Sequence, residues 1–210
     1  MRARLFLITP ETVDLAAFLP ALDAALAGGD VASLLITPQN DYQTVCEALT
    51  PRAQARDVAV LVVDDSRVMG RAKADGLHVA AGPAALAEAI GALQPKAIVG
   101  AGVIKTRHEA MAAGEAGADY VFFGMLDKPE ESEAHRKTLD LGGWWAELFE
   151  PPCVLLAGTS EQSVADCAAT GADFVAVRHA VWDHPDGPGA AVTALNAVLD
   201  RAAGAAGGRA

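Results

Sequence analysis

Gly158-Thr159-Ser160 and the pair Arg178-His179 are the residues of this chain best suited to holding a phosphate. Glycine lets the backbone approach an anion, N–H groups at a helix start point toward it, and arginine adds a bidentate donor. The same residues also read as a helix cap beside a surface arginine. Asp64-Asp65 is a carboxylate pair that suits Mg²⁺, with the remaining oxygens coming from water and a substrate phosphate. The competing reading makes one of the two a helix cap. Lys105-Thr106 could bind an anion at the start of a helix. His108-Glu109 lacks the second histidine of a zinc helix, because position 112 is alanine. Residues 127–133 set four carboxylates against one lysine and read as a solvated, mobile lid rather than a metal site. Residues 183–187 read as a turn before a metal cluster, and His78 as a satisfied core histidine. Trp144 and Trp145 read as packing or homo-oligomer contacts.

These residues need a scaffold, and the sequence repeats one. A small residue, Ala-Asp or Asp-Gly, then an apolar run recurs at 73–79, 113–124 and 170–177. Glycine can close the preceding helix in the left-handed conformation, and the aspartate can hydrogen-bond the turn. Apolar residues in succession, rather than in alternation, mark strands covered on both faces, as in a parallel sheet sheathed by helices. A second repeat, Ile8-Thr9-Pro10 and Ile36-Thr37-Pro38, places threonine and proline where a following helix would be capped.

Strands are expected at 4–9, 31–36, 58–63, 76–79, 96–100, 119–124, 153–156 and 174–177. Helices are expected at 11–26, 40–49 with a further turn or a loop at 51–56, 64–73, 83–93, 106–114, one that includes 144–149, 160–170 and 190–203. Eight alternations favour a (β/α)8 TIM barrel over an open doubly wound sheet. The expectation is a single domain over 1–203 and a flexible tail over 204–210. In such a barrel, residues just after each strand carry function, which selects Asp64, Lys105, Gly158 and Arg178 with their neighbours.

A net charge of −11 argues against nucleic acid or an anionic membrane as partner. Apolar runs too short to span a bilayer, and an amino terminus that leads directly into a strand, point to the cytoplasm. Cys46, Cys153 and Cys167 form no C-x-x-C motif, which fits a reduced compartment, and Cys153 and Cys167 read as core residues.

Residues 5–9, the Ala-Asp-Gly-Leu-His run at 74–78, the Gly-Ala-Asp-Tyr strand at 117–124 and the last Gly-Ala-Asp strand at 171–177 resemble the thiamine-phosphate synthase and TenI family. The resemblance implies a TIM barrel of thiamine biosynthesis. A synthase joins a pyrimidine pyrophosphate to a thiazole phosphate with loss of pyrophosphate, using Mg²⁺, whereas the TenI-like branch is an isomerase that aromatises the thiazole phosphate.

Residue by residue, the first metal aspartate falls on Asp64 and the second on Pro83. The strand that supplies cations to the pyrophosphate falls on 34–38, which has neither Arg nor Lys. The phosphate loop after the sixth strand has become Pro129-Glu130-Glu131-Ser132, and the TenI histidine is Met125. Thr106 is kept and Lys105 gained, making these the catalytic candidates. Gly158, Thr159 and Ser160 keep a phosphate cradle, and the last pair is Arg178-His179. Glutamate for lysine turns attraction into repulsion of about 1 to 4 kcal/mol per close charge pair. The resemblance therefore implies a small phosphorylated substrate and a divergent active site, impaired as a synthase. The alternatives are a non-catalytic phosphate-binding or regulatory paralogue and a TenI-like isomerase.

Overall fold

The structure, a computed structural model, describes residues 2–207. Eight parallel strands, β1 (Arg4–Ile8), β2 (Val31–Ile36), β3 (Ala59–Val63), β4 (Gly76–Val79), β5 (Ile98–Ala101), β6 (Tyr120–Phe123), β7 (Cys153–Leu156) and β8 (Phe174–Val177), pair in chain order. β8 pairs with β1, so the sheet closes into a barrel, as expected. Around it lie α1 (Leu15–Ala27), α2 (Tyr42–Gln54), α3 (Ser66–Ala72), α4 (Pro83–Leu93), α5 (Arg107–Glu115), α6 (Arg136–Leu148), α7 (Glu161–Ala169), α8 (His179–Trp182) and α9 (Pro188–Gly207). α9 packs against α7 and α1 and completes the helical ring.

Several boundaries move, each for a local reason. Thr9 and Thr37 do not cap helices; both are buried, with hydroxyl oxygens 3.1 Å apart, and Thr37 N–H donates to Thr9 Oγ1 at 3.0 Å. The N-caps are Asp14 and Asp41 instead. Pro51 lies within α2 instead of dividing it. α6 begins at Arg136, eight residues before position 144, with His135 accepting from Lys137 N–H as its cap. Of the expected tail 204–210, residues 204–207 are helical within α9, and 208–210 lie outside the described residues.

The barrel interior is built from alternate residues. Phe6, Ile8, Leu35, Leu61, Val63, Tyr120, Phe122, Val154, Leu156 and Ala176 form an inner cluster distinct from the larger one between barrel and helices. His78 joins the inner group through a 2.7 Å hydrogen bond between its Nδ1 and the Tyr120 hydroxyl. Glycines make this possible. A Cβ on Gly100 would overlap the Tyr120 ring, and one on Gly102 would overlap the His78 imidazole. His78 is thus a satisfied core histidine, and burial drives its pKa down to about 4, leaving it neutral at physiological pH.

The repeated aspartates do more than close a turn. Asp75 Oδ2 accepts from Val60 N–H at 2.7 Å, Asp119 Oδ2 from Val99 N–H at 2.7 Å and Asp173 Oδ2 from Cys153 N–H at 2.9 Å. Each stands before β4, β6 or β8 and satisfies an amide of the preceding strand, tying the strands into pairs at the bottom of the barrel. Asp173→Ala orphans the buried Cys153 amide and is expected to lower the unfolding free energy by about 1–3 kcal/mol. Asp173→Asn, which keeps an acceptor, is expected to recover most of that loss in urea denaturation.

Candidate active site at the barrel mouth

β7 runs into Ala157–Ser160 and the adjacent β8 into Arg178-His179, so barrel closure unites two groups separated in sequence. Arg178 follows the inward alternation of Phe174 and Ala176 and is 2% exposed, so it is no surface arginine. Its Nε donates to Glu130 Oε1 at 2.6 Å. Its Nη1 lies 2.9 Å from Glu11 Oε1 and donates to the Leu126 carbonyl at 3.4 Å. Nη2 is the one buried side-chain polar atom without a hydrogen-bond partner among the described residues.

The connection between β6 and α6 lies directly on this corner. Glu130, whose side chain is 4% exposed, also accepts from His179 N–H at 3.2 Å. Thr159 N–H donates to the Glu131 carbonyl at 2.9 Å and Ser160 N–H to the Ser132 carbonyl at 3.0 Å. Gly158 N–H donates to Ser163 Oγ at 2.6 Å, and a Cβ at 158 would come within 2.5–2.7 Å of the loop backbone. The loop expected to be solvated is therefore docked at its centre, although Asp127, Lys128, Glu131 and Glu133 remain exposed. Sequence reasoning missed Glu130 and Glu11 as partners of Arg178. Four carboxylates in one loop were visible, but nothing local tells which of them turns inward.

The remaining candidates separate. Asp65 Oδ1 accepts from Arg67 and Val68 N–H as the N-cap of α3. Asp64 sits in the left-handed region at φ 54°, its Oδ1 accepting from Ala80 and Ala81 N–H at 2.7 and 3.1 Å. Pro83 opens α4 without a donor. These residues do not fit a Mg²⁺ centre built on two protein carboxylates, and among the described residues no group of three His, Cys, Asp or Glu is placed to hold a metal. Thr106 belongs to a capping box with Glu109, which leaves Lys105 as the available side chain of that pair. Val103, two residues before Lys105, has φ 55°, an unfavourable value for a β-branched residue and a mark of local strain. Lys105, Met125, Lys128, Glu130, His135 and Leu141 line a cavity of about 650 Å³ that reaches Gly158.

Outside the mouth, Trp145 is buried, donating to the Pro151 carbonyl and stacking on Phe149, while Arg107 covers Trp144 at 4.8 Å. The three cysteines are buried in the core, their thiols pushed up to about 12 by burial. No helix among the described residues is long and apolar enough to cross a membrane.

Comparison with known proteins decides the family. The family model described as thiamine monophosphate synthase matches residues 5–181. The chain belongs to the thiamine monophosphate synthase family. Within it, the thiamine-phosphate synthase of Rhodospirillum centenum is 41% identical over 202 residues, covering 93% of this chain and 97% of that protein. The thiamine-phosphate synthase of Hyphomonas neptunium is 38% identical over 209 residues, covering 95% of each. The solved thiamine phosphate pyrophosphorylase of Pyrococcus furiosus shares the fold with a TM-score of 0.76 at 21% identity, over 95% of this chain and 96% of that one. As a member of this family the chain carries an acidic rim in which Glu11, Glu130 and Asp183 surround Arg178 and His179.

Burial by itself works against the charged form of His179, but its 2.8 Å contact with Asp183 and the nearby Glu130 and Glu11 outweigh that and hold its pKa above the usual value. A raised folded-state pKa means the stabilisation is full below the unfolded value near 6.5 and is lost as pH rises through the folded one. The melting temperature is therefore expected to fall between pH 6 and pH 8.5 by a margin that shrinks in His179→Gln, measured by scanning calorimetry of both proteins.

Proposed function

We propose that this protein is an enzyme of thiamine biosynthesis that joins a pyrimidine pyrophosphate to a thiazole phosphate at the barrel mouth. The observation that carries this reading is near-full-length similarity to proteins named thiamine-phosphate synthase. The phosphate of the thiazole substrate is assigned to the corner formed by Gly158, Thr159, Ser160, Arg178 and His179, where Arg178 Nη2 is a buried, unused donor. The adjoining cavity has the size expected for a small organic ligand, with an apolar side at Phe123, Leu141 and Leu156. Lys105 on its wall supplies positive charge as the diphosphate departs and the thiazole bonds in its place.

No step is assigned to Mg²⁺. Asp64 is the carboxylate that a metal arriving with the diphosphate would meet. The partners in this reading are small phosphorylated molecules, not nucleic acid or membrane, as the charge of −11 favours, and the setting is the cytoplasm.

A second reading rests on the rim. Glu130 beside Arg178, Pro83 in place of a carboxylate, and the absence of Arg or Lys at 34–38 all disfavour a diphosphate. They support a phosphate-ligand binding paralogue without turnover. A TenI-like isomerase is supported less, since Met125 stands where its histidine would be.

One assay separates them. With both substrates and Mg²⁺, wild-type protein is expected to form thiamine phosphate. Arg178→Gln is expected to raise KM for thiazole phosphate about 10- to 100-fold, the equivalent of losing one charge-assisted hydrogen bond of about 1.5–3 kcal/mol. Absence of product at every Mg²⁺ concentration, with thiazole phosphate still raising the melting temperature, would establish the binding paralogue.

A further inference from the structure

At the β7–β8 corner the backbone amides of Gly158, Thr159, Ser160 and His179, with Arg178 Nε and Nη1, already have partners within the chain, and Arg178 Nη2 is buried without one. Three of those partners come from consecutive residues of one loop. The Glu130 carboxylate takes Arg178 Nε at 2.6 Å and His179 N–H at 3.2 Å, the Glu131 carbonyl takes Thr159 N–H, and the Ser132 carbonyl takes Ser160 N–H. A carboxylate that receives a guanidinium and a backbone amide, beside two carbonyls that receive amides, reproduces the hydrogen-bonding environment of a bound phosphate oxygen set. Its depth separates it from a surface ion pair, since both side chains are at most 4% exposed. The lone unsatisfied Nη2 shows that the carboxylate fills the corner incompletely. A tetrahedral anion has one more oxygen to offer than this planar group.

Resting on the assignment of this corner as the phosphate site, we propose that Glu130 is a built-in surrogate for the ligand's phosphate. A phosphorylated ligand enters only by lifting residues 127–133 from the corner, so the site inhibits itself until ligand displaces the loop. The flanking sequence suits such a movement. Asp127, Lys128, Glu131 and Glu133 are exposed and bury no apolar anchor, so the docking rests on the Glu130 ion pair and the backbone bonds. The apparent affinity of a site that must first open is its intrinsic affinity reduced by the open fraction. Weakening the latch therefore tightens ligand binding, the opposite of what removal of a ligand-contacting residue does.

The test is calorimetric titration of thiazole phosphate into wild type, Glu130→Gln and Glu11→Gln, paired with Glu-C proteolysis of the wild type followed by mass spectrometry. Glu130→Gln is expected to bind at least 10-fold tighter than wild type. Glu11→Gln, which removes the same charge from Arg178 but leaves the latch, is expected to gain less. Thiazole phosphate is expected to accelerate cleavage after Glu131 and Glu133 in the wild type, a readout that does not depend on any variant folding. If wild type binds the ligand but Glu130→Gln is no tighter, or Glu11→Gln gains as much, the latch is refuted and the phosphate site stands. Ligand that protects the loop from cleavage, or leaves it unchanged, refutes the latch in the same way. If none of the three proteins binds thiazole phosphate, the assignment of the corner itself falls and the latch with it.

Discussion

Closing eight parallel strands into a barrel drives every second residue of each strand into one confined space, and the rest of this structure follows from how that space is filled. Tyr120 and His78 occupy it together because the chain offers glycine at 100 on β5 and at 102 just past its end, and the Tyr120 hydroxyl meets the imidazole that would otherwise be buried without a partner. The same alternation, carried one position past β8, points Arg178 inward rather than to solvent. A guanidinium cannot lie in such a place without counter-charge, so the mouth is arranged around it.

That arrangement joins distant parts of the chain. Glu11 comes from the loop after β1 and Glu130 from the loop after β6, and both converge on a side chain at the end of β8. The ion pair with Glu130 also fixes the loop against the start of α7 through the Thr159 and Ser160 amides. Loop and corner are thus held together by a single set of bonds, so the proposed phosphate site and the loop would share one equilibrium rather than two. The cavity beside it shares Glu130 and Gly158 with the corner, so movement of the loop alters both.

At the opposite end of the barrel, order is enforced by carboxylates bonded to backbone amides rather than to cations. Asp75, Asp119 and Asp173 each accept an amide from the neighbouring strand, and each lies at the same point of a repeated motif. These bonds hold the bottom of the barrel, the end opposite the candidate site, in keeping with the division of parallel barrels into a stabilising and a functional face.

The repeat of helix, small residue, aspartate and apolar run was legible because it is local: backbone preference and side-chain period act within a few residues. Together with the apolar runs between the repeats, it gave the barrel, the strands β2, β4, β7 and β8 to the residue, and α4 likewise. The family resemblance was legible for the same reason, since its motifs are the strands and turns themselves. What lay beyond reach were partnerships across the barrel. Thr9 looked like a helix cap and is instead bonded to Thr37, and Glu130 looked like one solvated charge among four and is buried on Arg178. The sequence by itself determined which elements form and that residues 158–160 and 178–179 stand at strand ends. Only the tertiary structure decided which carboxylate meets which cation, because that depends on how strands from opposite ends of the chain close upon one another, and no local preference encodes it.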